Sequence, residues 1–116
     1  MLEDTITDYH AHVYFTPETR ENAIELRDTV LKSGFPIEVG KVYDRTVEPH
    51  PLPMYQLTFS PEDLGSIVCF LSFNRNGLSI FVHPNTGELI ADHFERTIWM
   101  GRQLDLDFEY LAKFAK

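Results

Sequence analysis

Seven residues near the start of the chain, Tyr9-His10-Ala11-His12-Val13-Tyr14-Phe15, alternate without a break between apolar and polar or aromatic side chains. Successive side chains of a β-strand point to opposite faces, so Ala11, Val13 and Phe15 share one face and His10, His12 and Tyr14 the other. The run predicts a strand with one oily face that must be covered and one face able to carry chemistry. Imidazole is the commonest transition-metal ligand, and two of them on one strand face lie roughly 7 Å apart at Cα, near enough to converge on one ion. Half-exposed histidines are ordinary on strands, so this pair gains weight only from where the other three fall.

Two further runs alternate in the same way. Leu52 to Phe59 sets Tyr55, Leu57 and Phe59 against Met54, Gln56 and Thr58, and Leu78 to His83 sets Leu78, Ile80 and Val82 against Ser79, Phe81 and His83. Phe35 to Tyr43 reads as another strand, and the polar stretch Asp44 to Pro51, which closes on His50, reads as a loop. Thr16-Pro17-Glu18 and Ser60-Pro61-Glu62-Asp63 are helix starts, with a hydroxyl residue before proline at the first helical position. The first helix, carrying Ala23, Leu26 and Val30, is expected over 17–33 with its stop at Ser33-Gly34, and the second runs to about Phe73. After the turn Pro84-Asn85-Thr86-Gly87, Glu88 to Phe94 reads as a short extended segment and Asp105 to Lys113 as a last helix.

The order strand, helix, strand, strand, helix, strand is that of the α+β, ferredoxin-like split βαβ sandwich: a four-stranded antiparallel sheet with two helices on one face, here with an extra C-terminal segment, expected as a single domain over 1–116. The expected strand order is 4-1-3-2, with the first strand antiparallel to the fourth and parallel to the third. On that orientation the starts of strands one and three and the end of strand four share an edge, which gathers His10, His12, His50 and His83. Face parity independently puts His10, His12, Tyr14, Met54, Gln56, Thr58, Ser79, Phe81 and His83 on the side without helices. Such a half-apolar face has to be covered, by the tail from Glu88 onward or by a second subunit, so a homodimer is expected. Trp99, Met100, Phe81 and Tyr14 are candidates for the seam. A tail folded back would bring His93 and Asp92 to the pocket; otherwise these two form a hydrogen-bonded pair on a solvated loop.

Composition narrows the function classes. Ten Lys and Arg against eighteen Asp and Glu give a formal charge of −8, which repels a phosphate backbone and argues against a nucleic-acid partner. No apolar run is long enough to cross a bilayer and the acidic Met1-Leu2-Glu3-Asp4 lacks the marks of a signal peptide, so a cytoplasmic protein with no membrane partner is expected. Cys69 is the one cysteine, which excludes an intramolecular disulfide, and its apolar neighbours predict a packed core thiol with no catalytic role.

Four blocks carry a resemblance: His10-Ala11-His12-Val13-Tyr14-Phe15, His50-Pro51-Leu52-Pro53-Met54-Tyr55-Gln56-Leu57, Val82-His83-Pro84-Asn85-Thr86-Gly87, and Asp92-His93 with Trp99-Met100-Gly101. Together, over about residues 8 to 101, they resemble the DOPA 4,5-dioxygenase family. The resemblance implies extradiol cleavage of a catechol such as DOPA by O₂, giving a muconic semialdehyde, at a non-haem Fe(II) that zinc can replace in a purified sample. It further implies His10, His12 and His83 as metal ligands, His50 as an acid/base catalyst or the remaining ligand, His93 as a catalytic or substrate-contacting imidazole, and Tyr14 and Gln56 as substrate-orienting groups. Parity forces no carboxylate onto the open face, and Glu38, Asp92 and Glu95 are the acids available to complete a two-His-one-carboxylate triad. Two other readings stand beside this one: a non-catalytic ferredoxin-like module binding a small aromatic ligand or structural metal, and a cofactor-free oxygenase of the dimeric α+β barrel type.

Overall fold

The computed structural model describes residues 5–115; the acidic Met1–Asp4 start and Lys116 lie outside the described residues. Its elements are β1 (Asp8–Tyr14), α1 (Arg20–Lys32), β2 (Glu38–Val39), β3 (Met54–Phe59), α2 (Leu64–Asn74), β4 (Ser79–Asn85), α3 (Leu89–Phe94), β5 (Ile98–Met100) and α4 (Phe108–Ala112). Pro17 and Pro61 each open a 3-10 turn that leads into α1 and α2, as their fixed φ and missing N–H favour.

The sheet runs β2-β3-β1-β4-β5, which is the ferredoxin-like order with one strand added at the edge. Every neighbouring pair is antiparallel, including β1 with β3, where Tyr9 lies opposite Phe59 and Tyr14 opposite Met54. This corrects the expected parallel pairing. The α1 crossover returns the chain in β2 parallel to β1, and the reversal into β3 then makes β3 antiparallel to β1. The start of β3 consequently lies beside Tyr14, at the opposite end from His10.

Face parity is as the alternation predicts. Ala11, Val13, Phe15, Tyr55, Leu57, Phe59, Leu78, Ile80 and Val82 form one buried cluster with Ala23, Leu26 and Val30 of α1 and Ile67 and Leu71 of α2. The Tyr55 hydroxyl donates to the Ala23 carbonyl at 2.8 Å, so this aromatic residue enters the core without stranding its polar end. On the other face Tyr14, Met54 and Phe81 form a second cluster, against which Trp99, Leu104 and Leu106 pack. The tail therefore does fold over the open side. Met100 faces the helix side instead, because it pairs with Ile80 while Trp99 pairs with Phe81.

Other departures have local causes. The strand expected over Phe35 to Tyr43 keeps ladder pairing only at Glu38–Val39, plus a bridge from Tyr43 to Met54. The segment expected to be extended from Glu88 is helical over Leu89–Phe94, and the last helix is shorter than expected. Cys69 is exposed on the outer face of α2, not packed in the core. No helix among the described residues is long and apolar enough to cross a membrane.

Gly40 is required by close approach: its N–H donates to the Gln56 carbonyl at 2.8 Å, and a Cβ there would lie 2.9 Å from that same oxygen. The Gly40 carbonyl also accepts both Nε and Nη2 of Arg27. Gly40→Ala is expected to push β2 off β3 and cost about 2 kcal/mol, read as a lowered urea midpoint with an unchanged slope.

Candidate metal centre

All five histidines of the chain meet over the open face of the sheet. Register places His10 opposite His83 of β4 and Thr58 of β3, and His12 opposite Phe81 and Gln56. Ring centroids are 5.3 Å apart for His10 and His83, 5.2 Å for His12 and His83, 4.2 Å for His12 and His50, and 4.1 Å for His83 and His93. The edge expected to gather them supplies His10, His12 and His83, but His50 arrives differently. Since β3 runs antiparallel to β1, His50 reaches the cluster on a loop that folds over the face, and the tail holds that loop through the Asp107 N–H donating to the Pro49 carbonyl at 3.0 Å.

His93 arrives on α3. A helix of six residues is too short to hold itself, and the staple is Asp92, 2% exposed. Its carboxylate accepts the Thr86 N–H at 2.8 Å, the Thr86 hydroxyl at 2.9 Å and Arg96 Nη1 at 3.0 Å. Arg96 also donates to Glu88 at 2.7 Å. Asp92 is thus a buried, hydrogen-bonded carboxylate that ties α3 to the exit of β4, not a residue of a solvated loop. The i, i+4 spacing of Asp92 and Arg96 was the sequence signal for this device.

One donor atom from each of His10, His12 and His83 lies within 4.8 Å of the others, so this trio could hold a metal ion; no carboxylate joins the group among the described residues. Its chemistry fits an ion. His83 Nδ1 lies 2.9 Å from the Pro84 carbonyl, which can only accept, so Nδ1 carries the proton and Nε2 keeps its lone pair. That Nε2 is 3.1 Å from Nε2 of His12. Two nitrogens bound at about 2.0–2.1 Å to one ion sit roughly 3.0–3.4 Å apart, which is the separation found. His93 is built like His83, with Nδ1 2.8 Å from the Leu89 carbonyl, so Nδ1 carries a proton there too.

Burial keeps four of the rings neutral. It drives His12 well below its usual range, His83 to about 3 and His50 to about 4, with neighbouring imidazoles adding to each effect. For His10 burial also lowers the pKa, against the partial opposition of Asp8 and Glu38. At neutral pH these four rings are free bases, the form a metal requires. Tyr14, 1% exposed, places its hydroxyl 2.7 Å from His50 Nδ1, and burial raises its pKa. If His50 were the donor, the buried Tyr14 O–H would have no acceptor among the described residues. Tyr14 therefore donates, and His50 carries its proton on Nε2. Gln56 borders the cluster from β3 and donates to Thr58 Oγ1 at 3.2 Å.

Phe81 stacks on Trp99 with centroids 4.5 Å apart, and Tyr14 stacks on Trp99 at 6.2 Å, giving the cluster an aromatic wall. Beside it a cavity of about 90 Å³ is bordered by His93, Trp99, Leu104 and Asp105. Leu106, expected on the last helix, instead lies before it and packs with Leu104 on the open face, a contribution that helical spacing did not indicate.

The fold and its histidines define a ferredoxin-like protein with an imidazole centre able to take a metal. Comparison with known proteins is more specific. The Dopa 4,5-dioxygenase family model matches residues 9–110, and the chain belongs to that family. It is 32% identical over 119 residues to a DOPA 4,5-dioxygenase of Amanita muscaria, covering 96% of this chain and 52% of that protein. It is 34% identical over 116 residues to an uncharacterized 21.2 kDa protein of Botryotinia fuckeliana, covering 90% of this chain and 63% of that protein. The chain thus spans between half and two thirds of these curated relatives. The crystal structure of a candidate dioxygenase from Nostoc punctiforme superposes with a TM-score of 0.91 at 38% identity, covering 97% of this chain and 96% of that one.

Proposed function

We propose that this protein is an extradiol dioxygenase that opens a catechol ring of the DOPA type with O₂ at a non-haem Fe(II) held by His10, His12 and His83. The observation that carries the reading is the convergence of all five histidines on one covered sheet face of a chain in this family. A ferrous ion with three protein ligands would supply open positions for both catechol oxygens and for dioxygen. Both atoms of O₂ enter the product as one ring C–C bond breaks, so no external reductant is needed.

The protein's own groups divide the proton work according to their tautomers. His93, its Nδ1–H held by the Leu89 carbonyl, would take a catechol hydroxyl proton at Nε2 and return it as the ring opens, while His50 points the Nε2–H fixed by the Tyr14 hydrogen bond at the oxygen where charge develops. Tyr14 orients the substrate through His50, and Gln56 borders the same face. The Trp99, Phe81 and Tyr14 wall holds the ring and excludes water.

Anaerobic loading with Fe(II), addition of DOPA or a simple catechol, and then admission of air should give a yellow semialdehyde absorbance with one O₂ consumed per ring. Product formed equally well without iron would instead indicate a cofactor-free oxygenase. Catechol binding without any oxygen uptake would indicate a binding module.

A further inference from the structure

We propose that Gln56 is a positioning residue of the metal centre, its side-chain carbonyl accepting the Nδ1–H that His12 must carry once Nε2 of His12 is given to a metal. The inference rests on the metal-site reading and adds to it a group that does not itself touch the ion.

It starts from an orphan. Nδ1 of His12 is buried and has no hydrogen-bond partner among the described residues. Without metal this is tolerable. The lone pair on Nε2 of His83 is fixed by the Pro84 carbonyl, so Nε2 of His12, 3.1 Å away, must be the donor between them. A neutral imidazole has one N–H, and Nδ1 of His12 is then a bare acceptor. A metal bound by both Nε2 atoms changes this. The single proton of a neutral His12 must move to Nδ1, and a buried N–H with no acceptor is costly, which is why metal-bound histidines donate their other nitrogen to a carbonyl or carboxylate.

Among the neighbours one oxygen acceptor is engaged by no other side chain of the described residues. On β1, Tyr14 is bonded to His50, and His10, once it ligates through one nitrogen, carries a proton on the other. His50 carries its proton on Nε2. On β4, Phe81 has no acceptor and His83 is committed at both nitrogens. On β3, Met54 offers only a weak thioether, and Thr58 Oγ1 already accepts from Gln56 Nε2 at 3.2 Å. Gln56 stands directly across from His12 in the antiparallel ladder, is half-buried, and has a carbonyl oxygen with no partner among the described residues. Opposed side chains of such a pair start about 4.5–5.5 Å apart at Cβ, so a rotation of the Gln56 amide spans the gap. Backbone groups here are held in the strand ladders on both sides of β1.

Zinc affinity should be measured by competition titration for the wild-type chain, Gln56→Leu and Gln56→Glu, together with histidine ¹⁵N spectra of the zinc-loaded proteins. Gln56→Leu is expected to weaken zinc binding roughly 10–100-fold, the usual cost of losing an outer partner of a ligating histidine. Gln56→Glu, which keeps an acceptor, should bind at least as tightly as wild type. The His12 Nδ1–H should show a hydrogen-bonded shift in the wild type and Gln56→Glu and lose it in Gln56→Leu, with metal-free stability unchanged throughout. If Gln56→Leu fails to fold, Gln56→Met tests the same loss. Equal zinc affinity in Gln56→Leu, or a zinc-loaded His12 with no proton on Nδ1, overturns this inference alone. Absence of zinc or Fe(II) binding by the wild-type chain overturns the metal-site reading and this inference with it.

Discussion

His12→Ala is expected to abolish metal uptake and leave a folded protein. His12 supplies one of three donor atoms in the trio, and its Nε2 is set at 3.1 Å from that of His83. Losing an outer partner of a ligand costs roughly 10–100-fold in affinity, and losing the ligand itself should cost more. With free metal at about 100 times its dissociation constant, binding stabilises the wild type by about 2.7 kcal/mol, which for a chain of this size raises Tm by roughly 10 °C. The variant should show no such rise. It should still unfold cooperatively, because His12 lies opposite the face on which Ala11 and Val13 pack against the helices. Truncating a ring buried against Tyr14, Phe81 and His50 should lower metal-free stability by about 2–3 kcal/mol. The control is one residue away: Val13→Ala should lose comparable stability and keep its metal affinity. Native affinity in His12→Ala would sink the assignment, and so would a metal-affinity loss shared equally by Val13→Ala.

That contrast between neighbouring residues was legible in the sequence, because burial enforces the two-residue period wherever one face of a strand is covered. The apolar sets of β1, β3 and β4 all face α1 and α2. Strand direction was less legible: periodicity says which face a residue occupies but not which way its strand runs, and the parallel pairing of β1 and β3 was the wrong choice. His50 therefore meets the cluster by a route the expected topology did not contain. Cys69 shows another limit. The segment Leu64–Asn74 is apolar nearly all round, so composition could not tell the stripe buried at Ile67 and Leu71 from the exposed one. The tail was least legible, since α3 and β5 are short pieces held by tertiary contacts such as Asp92 with Thr86 and Arg96.

The metal-free protein should lose stability steeply as the pH falls below about 6.5, earlier than its carboxylates alone would cause. In the unfolded chain each histidine protonates near 6.5, whereas in the fold burial and mutual repulsion hold His50 near 4, His83 near 3 and His12 well below the usual range. Between these limits the unfolded state binds more protons than the native one, so stability falls with falling pH, by up to about 1.4 kcal/mol per pH unit for each such ring. Three rings falling together would remove up to about 4 kcal/mol per pH unit, a large share of the ~5–15 kcal/mol typical of a domain. Acid unfolding is therefore expected to begin between about pH 6 and 5, where exposed carboxylates are still largely ionised. The check is a series of urea unfolding curves from pH 8 to pH 4, followed by the fluorescence of Trp99, the one tryptophan in the chain. Bound metal should delay the loss, because protons must first displace it from the imidazoles. His12→Ala should flatten the slope in the same window, since one depressed ring is gone. A stability that stays level from pH 6.5 to 5 in the metal-free wild type would mean that these imidazoles are not held neutral by the fold.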